Sequence, residues 1–113
     1  MSPRNWQLRI KDMILCCENI QNFTSSSNFD EFLNDPKTIR AVAFELSTLG
    51  EAVRALPDEI KKKYSEVPRE KIQGIRNVLI HEYFRLDEEI IWKTVQQDIP
   101  NLNRLLEKIN FDK

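Results

Sequence analysis

Apolar side chains between Asp35 and Pro57 recur every three or four residues, which is the repeat of an α-helix rather than of a β-strand. Asp35 suits an N-cap, and Pro36 suits the first helical position because an N–H there would have no partner within the helix. The apolar positions are Ile39, Val42, Ala43, Leu46, Leu49, Val53 and Leu56. The sequence therefore predicts a helix of about twenty residues that ends at Pro57 and buries one side.

Two segments before this helix also follow the helical repeat. The first helix is expected from about Pro3 to Phe23, with its apolar side at Trp6, Ile10, Met13, Ile14, Cys17 and Ile20. The polar run TSSSN at 24–28 interrupts it. A short helix in FDEFLND is expected next, with Ser27 or Asn28 as its N-cap.

The second half of the chain is predicted to hold two more long helices. Pro68 begins the first, which is expected to run to about Phe84, and Asp87 caps the second. The apolar positions of the second are Ile90, Ile91, Val95, Ile99, Leu102, Leu105, Leu106 and Ile109. Pro100 lies inside the second helix and predicts a bend or a break, because proline lacks the N–H that the helix would use. With only two glycines in 113 residues, few tight turns are available to a β-rich fold. The sequence therefore predicts an all-α, antiparallel bundle of about five helices in a single domain, residues 1–113.

Charge is distributed unevenly along the chain. The net charge is −1, but the stretch 54–85 holds eight Lys and Arg residues against five Asp and Glu residues, while the rest of the chain is acidic. A local basic patch is what a nucleic-acid partner of such a protein requires. Lysines 61–63 fit equally well as solvated surface charge, so the charge pattern leaves both interpretations open.

The two cysteines, Cys16 and Cys17, are neighbours in the sequence. Adjacent cysteines cannot link distant segments, and no Cys-x-x-Cys spacing suggests a zinc or redox site. The N-terminal segment is too charged for a secretory leader, and no apolar run approaches the roughly 18 residues of a membrane helix. We therefore expect a cytoplasmic protein with reduced thiols, no membrane partner, no cofactor and no metal site.

The only histidine lies in the segment IRNVLIHEYF, residues 75–84, five positions after an arginine. Histidine accepts or donates a proton near neutral pH, and the planar guanidinium of arginine matches two phosphate oxygens. Arg76 and His81 are in principle sufficient for metal-free RNA cleavage, in which a 2′-hydroxyl attacks the adjacent phosphorus. The spacing by itself is weak evidence, because a single histidine on a helix is more often structural.

Helical geometry separates these two side chains. At about 100° and about 1.5 Å per residue, Arg76 and His81 lie about 140° apart around the axis and about 7.5 Å apart along it. They converge on one phosphate if the helix loosens after Ile80. They also converge if a second copy of the chain brings its own helix close.

The same helix carries apolar residues on two sides. The first side is a core stripe of Ile72, Ile75, Val78, Leu79 and Tyr83. The second side, called here the histidine face, consists of Gln73, Gly74, Asn77, Ile80, His81 and Phe84. The histidine face is either a partner surface or buried within the same bundle, and the periodicity favours neither.

The segment IRNVLIHEYF resembles the Arg-x4-His-x-Tyr signature of HepT-like ribonuclease toxins of the HEPN superfamily. Residues 29–56 resemble the second and third helices of that family, and residues 67–109 resemble its last two. The segments occur in the same order, and the resemblance covers nearly the whole chain. VPREK stands here where the family often has Pro-Trp before the motif helix, which puts local packing rather than catalysis in question.

The resemblance implies a dimeric α-helical HEPN bundle in which two Arg/His motifs meet in a cleft and act as a metal-independent RNA endonuclease. It implies that Arg76 and His81 are the catalytic pair and that Asn77 is the polar residue that accompanies them. It also implies a toxin encoded beside a minimal nucleotidyltransferase antitoxin, which adenylylates the motif tyrosine, here Tyr83. An adenylyl group there would add bulk and negative charge near the RNA path.

Lys71 and Arg85 are candidate contacts to the RNA backbone, although each also fits as surface charge. The leading hypothesis is a homodimeric RNA endonuclease, the toxin of a toxin–antitoxin pair. The alternative is a non-catalytic HEPN module that binds RNA, nucleotide or the partner protein. A third hypothesis is a helical dimer that only scaffolds the partner transferase. Growth arrest that depends on His81 separates the enzyme from the other two.

Overall fold

The computed structural model describes residues 5–82 and 87–109, and over these ranges the chain is helical and contains no β-strand. The helices are α1 Trp6–Thr24, α2 Phe29–Leu33, α3 Pro36–Arg54, α4 Asp58–Lys63, α5 Arg69–His81, α6 Glu88–Lys93 and α7 Ile99–Glu107, with a π-helical turn at Thr94–Asp98. The all-α prediction is therefore confirmed. The predicted last helix consists of α6, the π turn and α7.

Local capping signals explain where the early helices begin. Asn28, rather than Ser27, caps α2: its Oδ1 accepts a hydrogen bond from Glu31 N at 2.8 Å, and Glu31 Oε1 accepts one from Asn28 N at 3.0 Å. Asp35 caps α3 by accepting hydrogen bonds from Thr38 Oγ1 at 2.6 Å and Thr38 N at 3.1 Å. These bonds, the side-chain one foremost, lower the pKa of the Asp35 carboxyl because they favour its ionised form.

The predicted break at Pro100 takes the form of a widened turn. Ile99 N–H bonds the carbonyl of Thr94, five residues back, instead of the residue four back as in an α-helix. Pro100 has no N–H to donate, so one bond of the ladder is missing at this point in any case. The π turn lets α7 continue beyond the proline, and Ile99 and Leu102 remain buried.

α3 is the central element of the bundle and packs against both α1 and α5, while α7 packs against α1. The core is formed by residues of α1, α2, α3, α5, α6 and α7, with Met13, Phe32, Leu49 and Leu106 completely buried. A side-chain hydrogen bond joins α1 to α3: Asn19 Nδ2 donates to the carboxylate of the buried Glu45 at 2.6 Å.

Two apolar positions predicted to be in the core are exposed. Val78 is 41% exposed and Ile90 is 57% exposed. Both line a groove of about 310 Å³ between α5 and α6, where the two helices are not in close contact. The periodicity identified the correct side of each helix, but it could not show that the neighbouring helix lies too far away to cover it.

α5 is also shorter than predicted, because its last residue is His81 rather than Phe84. Glu82 follows with φ −136° and ψ 37°, outside the helical region, although its N–H still bonds the carbonyl of Val78 at 2.8 Å. Phe84 lies outside the described residues. In the part of the chain that is described, no helix has the length and apolarity needed to cross a membrane.

Candidate active site

Arg76 is placed by an unusually close contact between α3 and α5. A Cβ atom built on Gly50 of α3 would lie 2.4 Å from Arg76 Cβ and 2.7 Å from Arg76 Cγ. Carbon atoms in contact are normally about 3.5–4.0 Å apart, so only glycine lets the stem of Arg76 lie here. Sequence reasoning did not single out Gly50, although an interior helical glycine costs about 1 kcal/mol and so called for an explanation.

Two acceptors hold the guanidinium of Arg76. Its Nη1 donates to Asn77 Oδ1 at 3.0 Å, and its Nη2 lies 2.5 Å from Glu51 Oε1 on α3. The side chain of Arg76 is 19% exposed, and its Nε is buried without a hydrogen-bond partner among the described residues. Glu51 also lies 3.5 Å from Arg54 Nη1. Glu51 was missed by sequence reasoning because no local pattern relates it to Arg76.

His81 is exposed at the C-terminal end of α5. α5 includes His81, so the helix does not loosen directly after Ile80, which was one of the two ways for the motif side chains to converge. The two side chains keep their helical separation of about 140° and about 7.5 Å. Arg76 points to α3, whereas Asn77 and His81 lie on the exposed side. Within one described chain, Arg76 and His81 therefore do not face the same point.

The histidine face is exposed wherever the structure describes it, apart from the half-buried Gln73. Ile80 on α5 is 46% exposed, and Phe44 on the neighbouring α3 is 69% exposed. A Cβ built on Gly74 would meet nothing within 4 Å. Burial of this face inside the same chain was one of the two predicted arrangements, and it is excluded for these residues. The face is available to a partner.

Lys71, the predicted RNA contact that the structure describes, lies far from His81. Lys71 Nζ lies 2.8 Å from Asp98 Oδ2 in the π turn, and its side chain is 56% exposed. Lys71 is ten residues before His81 on the same helix, about 15 Å away along the axis. Tyr83 and Arg85 lie outside the described residues, so their predicted roles stay predictions.

The first part of the basic stretch, residues 54–63, lies at the end of α3 and along α4. Lys61 Nζ donates to the carbonyl of Arg54 at 3.1 Å, and Lys63 Nζ lies 5.5 Å from the ring centre of Tyr64. Lys62 is exposed. These cations therefore lie on the surface, next to the helix end that carries Glu51.

The cysteines are unsuited to nucleophilic chemistry. Both are buried, and neither forms a disulfide. Burial is the main cause that raises the pKa of each thiol to about 12, with the neighbouring carboxylate of Glu45 adding to the effect at Cys16. A thiol is nucleophilic only as its thiolate, so packing is the role that the structure gives them. Among residues 5–82 and 87–109, no group of three or more His, Cys, Asp or Glu side chains could hold a metal ion.

Comparisons with known proteins agree on one family. Residues 13–109 match the model of the family described as ribonuclease HepT-like. The chain is 41% identical to "Putative RNase MJ0127" of Methanocaldococcus jannaschii, over 99% of this chain and 93% of that protein. It is 38% identical to "Probable ribonuclease HepT" of Thermococcus cleftensis, over 88% of this chain and 91% of that protein. No solved structure matches the chain.

Proposed function

Because this chain belongs to the HepT-like ribonuclease family, we propose that it is a metal-independent RNA endonuclease in which Arg76 and His81 are the catalytic pair. The observation that carries the proposal is the fixed guanidinium of Arg76, which the carboxylate of Glu51 and the amide oxygen of Asn77 hold from two sides. An arginine held in this way binds a phosphate with little further loss of side-chain freedom.

Each residue has a defined role in this reaction. His81 takes the proton of the 2′-hydroxyl, the 2′-oxygen forms a bond to the adjacent phosphorus, and the bond to the 5′-oxygen breaks. The leaving 5′-oxygen takes a proton from water, His81 releases its proton to solvent, and the product ends in a 2′,3′-cyclic phosphate. Arg76 stabilises the charge that builds on the non-bridging oxygens. Asn77 orients the guanidinium through the bond at 3.0 Å.

The active form is a homodimer in which the histidine face of one chain lies against that of another. Exposed Ile80 and Phe44 support this arrangement, since a dimer would bury them. It also overcomes the separation within α5, because His81 of one copy can approach Arg76 of the other. Gly74 allows the facing backbone to come close, because no side chain stands in the way.

The biological role in this proposal is that of a toxin restrained by a minimal nucleotidyltransferase antitoxin encoded beside it. Adenylylation of Tyr83 would place bulk and negative charge two residues after His81. Lys71 and Arg85 are proposed contacts to the RNA backbone, and Lys71 would exchange its ion pair with Asp98 for a phosphate. A neighbouring gene without nucleotidyltransferase sequence would contradict the role of Tyr83.

The central experiment is an RNA cleavage assay in the presence of a metal chelator. Wild type should cleave, and the His81→Ala and Arg76→Ala variants should lose cleavage by about a hundredfold or more. Arg104→Ala is the matched control, because Arg104 is an exposed arginine on α7, away from the motif. Cleavage by His81→Ala at the wild-type rate would refute the proposal. Binding of RNA without cleavage by the wild type would instead favour the non-catalytic module.

A mixing experiment tests whether the site belongs to two chains. Arg76→Ala and His81→Ala proteins are each inactive, but a mixed dimer keeps one intact pair if the arginine and histidine of a site come from different copies. Random mixing should then restore about a quarter of wild-type activity, since half the dimers are mixed and one of their two sites is intact. No restoration after confirmed subunit exchange would contradict a site shared in this way.

A further inference from the structure

Glu51 lies outside the Arg-x4-His-x-Tyr motif, on a different helix, yet its carboxylate contacts the guanidinium of Arg76 at 2.5 Å. We propose that Glu51 is a positioning residue for RNA cleavage, one that turns Arg76 to the reacting phosphate; this inference rests on the proposed function. Glu51 belongs to α3 and Arg76 to α5, so the contact ties the motif helix to the central helix of the bundle.

A guanidinium has five N–H groups that can donate hydrogen bonds. The Nε–H of Arg76 is shut away from solvent, one N–H of Nη1 goes to Asn77, and one of Nη2 goes to Glu51. One N–H therefore remains on each Nη atom. Two N–H groups on neighbouring nitrogens are what a phosphate needs for a two-point contact. Glu51 and Asn77 therefore take one N–H of each Nη atom and leave the other one for the substrate.

Because the stem of Arg76 is confined next to Gly50, the orientation of its guanidinium depends on Glu51. The stem of Arg76 is confined against α3, where a Cβ at Gly50 would lie 2.4 Å from its own Cβ. The stem is thus fixed, but the guanidinium can still turn about its last bonds. Glu51 and Asn77 are its acceptors among the described residues, and Asn77, as the next residue on α5, cannot relate the guanidinium to α3.

The charge of Glu51 acts against substrate binding while its geometry assists the reaction. Its side chain is 48% exposed and also lies 3.5 Å from Arg54 Nη1, so its negative charge is partly screened. A carboxylate near a phosphate path still repels the phosphate. Removing Glu51 should therefore impair turnover and at the same time leave RNA binding equal or tighter. A residue that only stabilised the fold would not separate these two quantities.

Three substitutions separate geometry from charge. Glu51→Gln keeps an acceptor oxygen at the same reach, Glu51→Asp keeps the charge but shortens the side chain, and Glu51→Ala removes both. The expected kcat is near wild type for the glutamine variant and about tenfold lower for the other two. Kd for an RNA with 2′-O-methyl groups, which cannot be cleaved, should fall by about threefold in the glutamine and alanine variants. Glu89→Ala is the control, since Glu89 pairs with Lys93 on the surface of α6 at 3.8 Å.

The outcomes distinguish the inference from the proposed function. Cleavage that depends on His81 but proceeds at the wild-type kcat in Glu51→Ala overturns the positioning role and leaves the function standing. A higher kcat in all three variants also overturns it, because Glu51 would then be masking Arg76. Failure of the wild type to cleave RNA removes both. A fall in kcat for aspartate and alanine, with glutamine spared and Kd not raised, supports the inference.

Discussion

Replacing Gly50 by alanine tests the contact that places Arg76. The added Cβ would lie 2.4 Å from Arg76 Cβ and 2.7 Å from Cγ, whereas carbon atoms in contact stay about 3.5–4.0 Å apart. A change of rotamer cannot relieve the first clash, because the Cβ of Arg76 is attached directly to the backbone. α3 and α5 must therefore move apart locally by about 1 Å.

Two opposing effects determine how far the Gly50→Ala substitution changes the free energy of unfolding. Alanine in a helix interior is favoured over glycine by about 1 kcal/mol. Overpacking of a close interface costs about 1–3 kcal/mol, and a clash between two Cβ atoms belongs at the upper end of that range. The free energy of unfolding should thus fall by about 2 kcal/mol, which corresponds to a Tm lower by roughly 10 °C for a chain of this size. A guanidinium displaced by about 1 Å should also lower kcat/KM by about a hundredfold.

The assay combines urea unfolding, followed by circular dichroism at 222 nm, with RNA cleavage at a temperature where the variant is folded. Gly74→Ala is the matched control for the unfolding measurement only, because Gly74 lies on the proposed dimer face. Within its own chain a Cβ there meets nothing within 4 Å, and alanine should stabilise α5 by up to about 1 kcal/mol. The two glycines of the chain thus predict opposite signs of stability change. A Gly50→Ala protein that is as stable as Gly74→Ala and cleaves RNA at the wild-type rate would refute the reasoning.

Three further predictions concern stability and reactivity. Because folding lowers the pKa of Asp35, its carboxylate stabilises the protein above the unfolded pKa, and this stabilisation is lost as the pH falls through the folded pKa. The Asp35→Asn variant should therefore lose less Tm than wild type on acidification, which a plot of Tm against pH would show. Asn28→Ala removes the capping box of α2 and should lower the free energy of unfolding by about 1 kcal/mol in urea unfolding. Cys16 and Cys17 should react slowly with a thiol reagent at pH 8 in the native protein and rapidly in denaturant, because burial raises the pKa of both thiols to about 12. Rapid reaction in the native state would contradict their burial.

Helix positions were largely predictable, because the signals that set them act over a few residues. The caps at Asn28, Asp35 and Asp87 each bond a backbone N–H two or three positions away. Pro100 disrupts the last helix by its own chemistry. Val78 and Ile90 show the limit of the same reasoning. Each lies on the predicted side of its helix, but α5 and α6 leave a groove between them that exposes both.

The candidate site was predictable only in part. The motif residues Arg76 and His81 stand out from the sequence, since their chemistry fits phosphate and proton transfer. The histidine face was identified as well, but its exposure was not, because a periodic pattern is the same whether or not another helix covers it. Within the described chain it is exposed, which is why a second copy enters the proposed function.

The sequence by itself determined the all-α class, the starts of α2, α3 and α6, and the family to which the chain belongs. The first helix begins at Trp6 rather than near Pro3, because Asn5 caps it. Only the tertiary structure decided the surroundings of Arg76. Gly50 and Glu51 lie far from it in the sequence, and they meet it because α3 and α5 pack side by side. Helical periodicity reports the direction in which a side chain points, whereas its contacts depend on how closely two distant helices approach. At this site, a missing Cβ sets that distance.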